Sequence, residues 1–234
     1  MKQRIWELDA LRGLCVLGMV LVHFVYDIST FSAFSFHIPR WFYPIAQYGH
    51  MLFVMISGIC VTLGSKCVRR GLIVYLCGMI ITVVTLVLDY GIGLGQVRIW
   101  FGILHLLGIC MIVYPLFRKL PSWVLAIIGV SIMLLGHYFT TFTVDVNFLF
   151  PLGLRSGKIF TGADFFPIFP GLGTFLVGAA LGKSLYRKKQ SLLPNAPQNF
   201  CLLRFFRFVG RNSLMIYMLH QPIVFAIVAI LFPM

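Results

Sequence analysis

Apolar runs long enough to cross a bilayer recur along this chain, and they restrict it to one class of fold. In hydrocarbon every backbone amide and carbonyl needs a partner inside the protein, and a helix supplies those partners within one segment. The runs predict helices over 12–31, 44–64, 71–90, 99–117, 121–141, 166–185 and 210–231. Hydrophobic residues make up 60% of the chain and charged residues 11%, which excludes an ordinary soluble domain. Short polar turns join the helices, apart from one long loop over 142–165 that carries Asp145, Arg155, Lys158 and Asp164. No internal repeat or low-complexity tract interrupts the pattern. The expected architecture is an all-α polytopic transmembrane bundle of about seven helices, one domain over 1–234 with no room for a soluble domain. The first run follows Glu7, Asp9 and Arg12 and shows no clear small-residue cleavage site, so it reads as a membrane helix rather than a secretory leader.

Charge supplies a direction. The formal net charge is +13, which on a soluble protein would suggest nucleic acid. On alternating membrane loops it reads as positive-inside bias. With the N-terminus in the cytoplasm, all of the 19 Lys and Arg residues except Arg40, Arg98, Arg155 and Lys158 fall on the inner side. That bias predicts a cytoplasmic N-terminus, an extracytoplasmic C-terminus and residence in the cell (inner) membrane. The six cysteines form no CxxC pair, and five of them lie in or beside apolar runs. They are expected to be free thiols acting as small hydrophobes, with no metal site.

Within this apolar background the first helix carries Arg12, His23 and Asp27. At about 100° per residue, the step from Arg12 to His23 ends only about 20° past three full turns. Asp27 follows one turn later, so the three groups form a stripe along one helix face. Arg12 and His23 stand roughly 16 Å apart along the axis at about 1.5 Å per residue. Ionisable groups are costly in lipid, so the stripe should face the protein interior and mark function.

A histidine with a carboxylate one turn away is a minimal general-base unit. An arginine at a cationic mouth suits a phosphate-bearing donor, because its planar fork offers several donors to phosphate. A donor with a long extended arm, anchored at Arg12, would present its reactive end near His23. Singly, each residue has a plainer reading: Arg12 as a positive-inside anchor, His23 as a satisfied interior histidine, Asp27 as a polar helix end. Their alignment favours chemistry. Further ionisable groups enter from other segments: His50, Arg98, His105, Asp164 and His220, with Gln221 beside the last. His50 admits both readings, whereas His37 and His137 read as loop or interface residues. Gly171, Gly173, Gly178 and Gly182 read as close-packing points between helices.

Several blocks resemble one known family. They are Arg4-x-x-Glu7-Leu-Asp9-Ala-Leu-Arg12-Gly13 with His23-Phe-Val-Tyr-Asp27, then Leu52-Phe53-Val54-Met55-Ile56-Ser57-Gly58, then Arg98-Ile-Trp-Phe101-Gly102-Ile-Leu-His105-Leu-Leu-Gly108. Ala163-Asp164-Phe-Phe-Pro167-Ile-Phe-Pro170 and Gly210-Arg211-Asn212-Ser213-Leu214-x-Ile216-Tyr217-x-x-His220-Gln221-Pro222 complete the set. In this order they resemble bacterial members of the heparan-alpha-glucosaminide N-acetyltransferase catalytic-domain family, within the transmembrane acyltransferase superfamily. The resemblance implies acetyl or acyl transfer from cytoplasmic acetyl-CoA, a co-substrate, to an acceptor on the other face.

The expected function is therefore that of an integral membrane acyltransferase, with a carbohydrate or another small hydroxyl or amine compound as acceptor. His23 is expected to be the general base, with Asp27 orienting it. Arg12, held by Asp9, is expected to bind the donor phosphate. His50, Arg98, His105, Asp164, His220 and Gln221 are candidate donor or acceptor contacts. Two readings of other classes stay open. Histidines on four helices would permit haem ligation in an electron carrier. Buried charges would also suit a transporter of small molecules or lipids.

Overall fold

A computed structural model describes residues 4–31, 38, 40, 42–92, 97–144, 147–154, 164–195 and 200–231. Asp145, Arg155, Lys158 and His37 lie outside the described residues. Among the described residues eight α-helices follow in order: α1 (Trp6–Phe31), α2 (Phe42–Leu63), α3 (Cys67–Ile92), α4 (Ile103–Phe117), α5 (Ser122–Phe139), α6 (Ile168–Leu185), α7 (Cys201–Arg211) and α8 (Ser213–Leu231). A short 3-10 helix, Asn147–Leu152, occupies part of the long loop. By length and composition α1, α2, α3, α5, α6 and α8 are each able to cross a membrane. The protein is an all-helical, multi-pass membrane protein.

Three boundaries differ from the sequence expectation, each for a physical reason. Helix α1 starts at Trp6 because Glu7 and Asp9 sit in its first turn, where free amides and the helix dipole favour negative charge. Helix α4 has 15 residues and starts at Ile103. That is about 22 Å, short of a hydrocarbon layer of about 30 Å. Its residues Ile103 to Gly108, Cys110 and Tyr114 are buried, so it is an interior helix rather than a lipid-facing one. The third difference is α7, an extra helix between α6 and α8. It ends at Arg211, so the final span begins at Ser213.

The chain forms two compact units. One comprises Met1–Ile56 with Lys188–Met234, the other Ser57–Arg187. In the first, α1 packs along α7 and α8. The α1–α7 crossing is closed by glycine on both sides. A Cβ on Gly13 would overlap the Phe206 carbonyl, and one on Gly210 would overlap the Asp9 carbonyl. The start of α1 is tied to the segment ahead of α7 as well. Trp6 Nε1 donates to the Leu193 carbonyl at 3.2 Å, and Glu7 accepts from Ser191 Oγ and Leu192 N at 2.8 Å each.

In the second unit α3 packs on α4 and α5 on α6. Glycines again sit where backbones approach: Gly108 against Tyr75, Gly129 against the Gly173 carbonyl, and Gly182 against Ile59 on the last turn of α2. Without a hydrophobic gain between helices in lipid, small residues permit the contact that replaces it. The outward side of α3 stays apolar and exposed, with Leu76 60%, Val83 57% and Val87 64% accessible. A surface of that kind fits lipid, not water.

The glycine crossings yield a stability test. Gly13→Ala and Gly210→Ala force the α1–α7 backbones apart and should each cost about 1–3 kcal/mol, the usual penalty of overpacking. Gly18 on the same helix has open space around it. Gly18→Ala should therefore leave stability unchanged or raise it by up to about 1 kcal/mol. Thermal unfolding in detergent reads the difference; equal effects at all three positions would refute the crossing.

Candidate functional site

Helix α1 is unbroken from Trp6 to Phe31, so the stripe read from sequence exists as one helix face. Asp27 is fully buried, while His23 and Arg12 are half-buried. Helix α8 brings the partners. Gln221 Nε2 donates to both oxygens of Asp27, at 3.1 and 3.0 Å. A buried carboxylate keeps its acceptors satisfied in this way without a neighbouring cation. The His23 and His220 rings meet edge-on, with centroids 4.9 Å apart.

The tautomer of His220 follows from its surroundings. Its Nδ1 lies 2.6 Å from the Tyr217 carbonyl oxygen. A carbonyl only accepts, so Nδ1 carries the proton and donates it. In the neutral ring the basic nitrogen is then Nε2. Four residues singled out from sequence, His23, Asp27, His220 and Gln221, thus form one cluster in one unit. Its chemistry is that of an acceptor-rich cluster: a carboxylate, an amide that positions it, and two imidazoles in ring contact.

At the N-terminal end of the stripe the ion pair of Asp9 runs to Arg211 of α7, at 3.4 Å. Asp9 thereby ties α1 to α7 next to their glycine crossing, and Arg12 stands one turn further along. His50 lies on α2, half-buried, and hydrogen-bonds to the Ala46 backbone of its own helix.

The remaining candidates gather in the other unit. His105 occupies the third position of α4. The Gly102 amide donates to its Nδ1 at 3.2 Å, while the His105 amide bonds the Gly102 carbonyl at 3.1 Å. Nδ1 is therefore the acceptor and Nε2 carries the proton. Nε2 lies 3.4 Å from Thr82 Oγ1, whose own proton goes to the Ile99 carbonyl at 2.7 Å. Both ring nitrogens of His105 are thus engaged in holding residues 99–102 as the cap of α4. The ring also stacks on Phe101 and meets Tyr75 edge-on.

Asp164 is buried beside this cap. A Cβ on Gly102 would lie 2.7 Å from Asp164 Oδ2, so only glycine leaves room for the carboxylate there. Phe166 N donates to the Phe101 carbonyl at 3.1 Å and fixes the strand of chain that carries it. Arg98 pairs with Asp89 at 2.7 Å and lies over the Tyr90 ring at 5.7 Å. Asp89 and Thr82 are polar residues that sequence reasoning passed over. An acid near the end of α3, nine residues ahead of Arg98, was the signal available for Asp89.

The cap assigns a cost to His105. His105→Ala leaves the Gly102 amide without its acceptor, while Thr82 keeps its bond to the Ile99 carbonyl, at about 1–3 kcal/mol for the buried amide. It should lower the unfolding temperature clearly. His137→Ala, at an exposed position on α5, should change it by no more than about 0.5 kcal/mol. Equal unfolding temperatures for the two variants would remove the capping role.

Comparison with curated proteins and with solved structures gives no match. A family model does match, described as heparan-alpha-glucosaminide N-acetyltransferase, catalytic, over residues 4–222. The match takes in α1 through the His220–Gln221–Pro222 turn of α8, and so both polar clusters. The chain therefore belongs to the heparan-alpha-glucosaminide N-acetyltransferase catalytic-domain family, a family of membrane acyltransferases.

Proposed function

We propose that this protein transfers an acetyl or other acyl group from cytoplasmic acyl-CoA to a carbohydrate or another small hydroxyl or amine acceptor on the extracytoplasmic side of the cell membrane. The observation that carries the reading is the polar cluster of His23, Asp27, His220 and Gln221, of which His23 and Asp27 stand on the same helix as Arg12. The excess of Lys and Arg on one set of loops supports the sidedness.

In this reading Arg12 holds a phosphate of coenzyme A at the cytoplasmic end of α1. The extended arm of the donor runs along the stripe, and the thioester reaches the level of His23. The acceptor hydroxyl or amine attacks the thioester carbonyl. His23 takes the acceptor's proton as the new bond forms, a step that general-base catalysis typically speeds by about 10²–10⁴-fold. The tetrahedral intermediate then expels the coenzyme A thiolate, which leaves with a proton returned from the imidazolium. Gln221 fixes Asp27 in place, and Asp27 supplies the negative charge that steadies a protonated His23. His220 presents Nε2 beside the His23 ring and completes the wall.

The test is acyl transfer from labelled acetyl-CoA in membranes carrying single variants. His23→Ala should lower kcat by about 10²-fold or more with little change in donor KM. Arg12→Ala should raise donor KM and spare kcat. Full turnover in both variants would overturn the assignment. Asp27→Asn should fall between wild type and His23→Ala, because the geometry stays and the charge goes.

A further inference from the structure

Helix α7 is the one helix that the apolar runs did not announce, and its surface divides three ways. At about 100° per residue, Arg204, Arg207 and Arg211 fall within an arc of about 60°. Leu202, Phe205 and Phe208 occupy the next arc, and Phe206 and Gly210 the third. The third face is spent on α1, through the crossing at Gly13. Val209, in the same arc at the C-terminal end, is buried, but the rest of the apolar face is open: Leu202 is 56% exposed, Phe205 49% and Phe208 61%. Phe200, just ahead of the helix, is 69% exposed.

The cationic face is short of counter-charge. No Asp or Glu lies on α7. Arg211 has Asp9, but the Arg207 Nε is shielded from water and has no hydrogen-bond partner among the described residues. Arg204 is exposed. An apolar face and an adjoining arginine face on one short helix match a single environment, the boundary between acyl chains and headgroups. Arginine forks suit phosphate, and an anionic headgroup layer supplies it.

We propose that α7 lies in the headgroup layer and binds anionic phospholipid, with Arg204 and Arg207 on lipid phosphate and Leu202, Phe205 and Phe208 among the acyl chains. The site is separate from the His23 cluster and does not depend on the transferase reading.

Two measurements test it on the full chain. The first is phosphatidylglycerol retained by protein purified from nanodiscs of mixed phosphatidylcholine and phosphatidylglycerol. The Arg204→Gln, Arg207→Gln double variant should retain roughly fivefold less or lower still, the weight of at least one arginine at an anionic surface. Lys119→Gln, an exposed cation elsewhere, should retain as much as wild type. Equal losses in both would reduce the effect to net charge and overturn the proposal. So would unchanged retention with a raised KM for acyl-CoA, which would give the arginines to the donor.

The second measurement covers the case in which the double variant fails to fold. Phe205→Trp is a conservative change on the exposed face. Its added fluorescence should be quenched by phospholipids brominated on the upper acyl chain and spared by aqueous iodide. Quenching by iodide alone would place α7 in water and end the proposal.

Discussion

The governing constraint is that polar groups inside hydrocarbon find partners within the protein or are not tolerated. The main contacts of the buried polar clusters follow from it, although Gln221 Oε1 and Asp89 Oδ1 have no hydrogen-bond partner among the described residues. Asp27 is met by the amide of Gln221 rather than by a cation. His105 spends both ring nitrogens on the backbone-and-hydroxyl cap of α4. Arg98 meets Asp89. The helices that carry these groups approach closely at glycine, because in lipid association rests on packing and polar contacts.

The two histidines near α4 and in α8 show how one residue type serves different ends. His105 accepts at Nδ1 and points its proton at Thr82. His220 donates at Nδ1 to a carbonyl one turn back, which leaves the basic nitrogen on the other side of the ring. The first arrangement closes hydrogen bonds around a helix start. The second ties the ring to its own helix where it meets the His23 ring.

Much of this was legible in the chain itself. Long apolar runs announce membrane helices because length and hydropathy decide them, and the positions of α2, α3, α5 and α6 lie within a few residues of expectation. The alignment of Arg12, His23 and Asp27 needed only helix geometry. Helix α7 was not legible as a span because its arginines cancel its apolar residues in any average over the segment. The pairing of Asp27 with Gln221, 194 residues away in sequence, and of Asp9 with Arg211 depends on how α1, α7 and α8 pack. No local pattern encodes that. Asp89 was missed for a related reason: its meaning lies in its pairing with Arg98.

The unit that contains the His23 cluster is built from two distant stretches of chain. Helix α1 is made before α8, with its carboxylate and imidazole already in place. The amide that satisfies Asp27 comes only with α8. Between the two, the entire second unit is synthesised. During that interval the most costly polar groups of α1 lack their final partners, so α1 is a provisional resident of the bilayer until α8 arrives. The Trp6 and Glu7 contacts to residues 191–193 then act as a latch, gathering the late stretch of chain back to the early one. The polar cluster is complete only when α8 packs against α1.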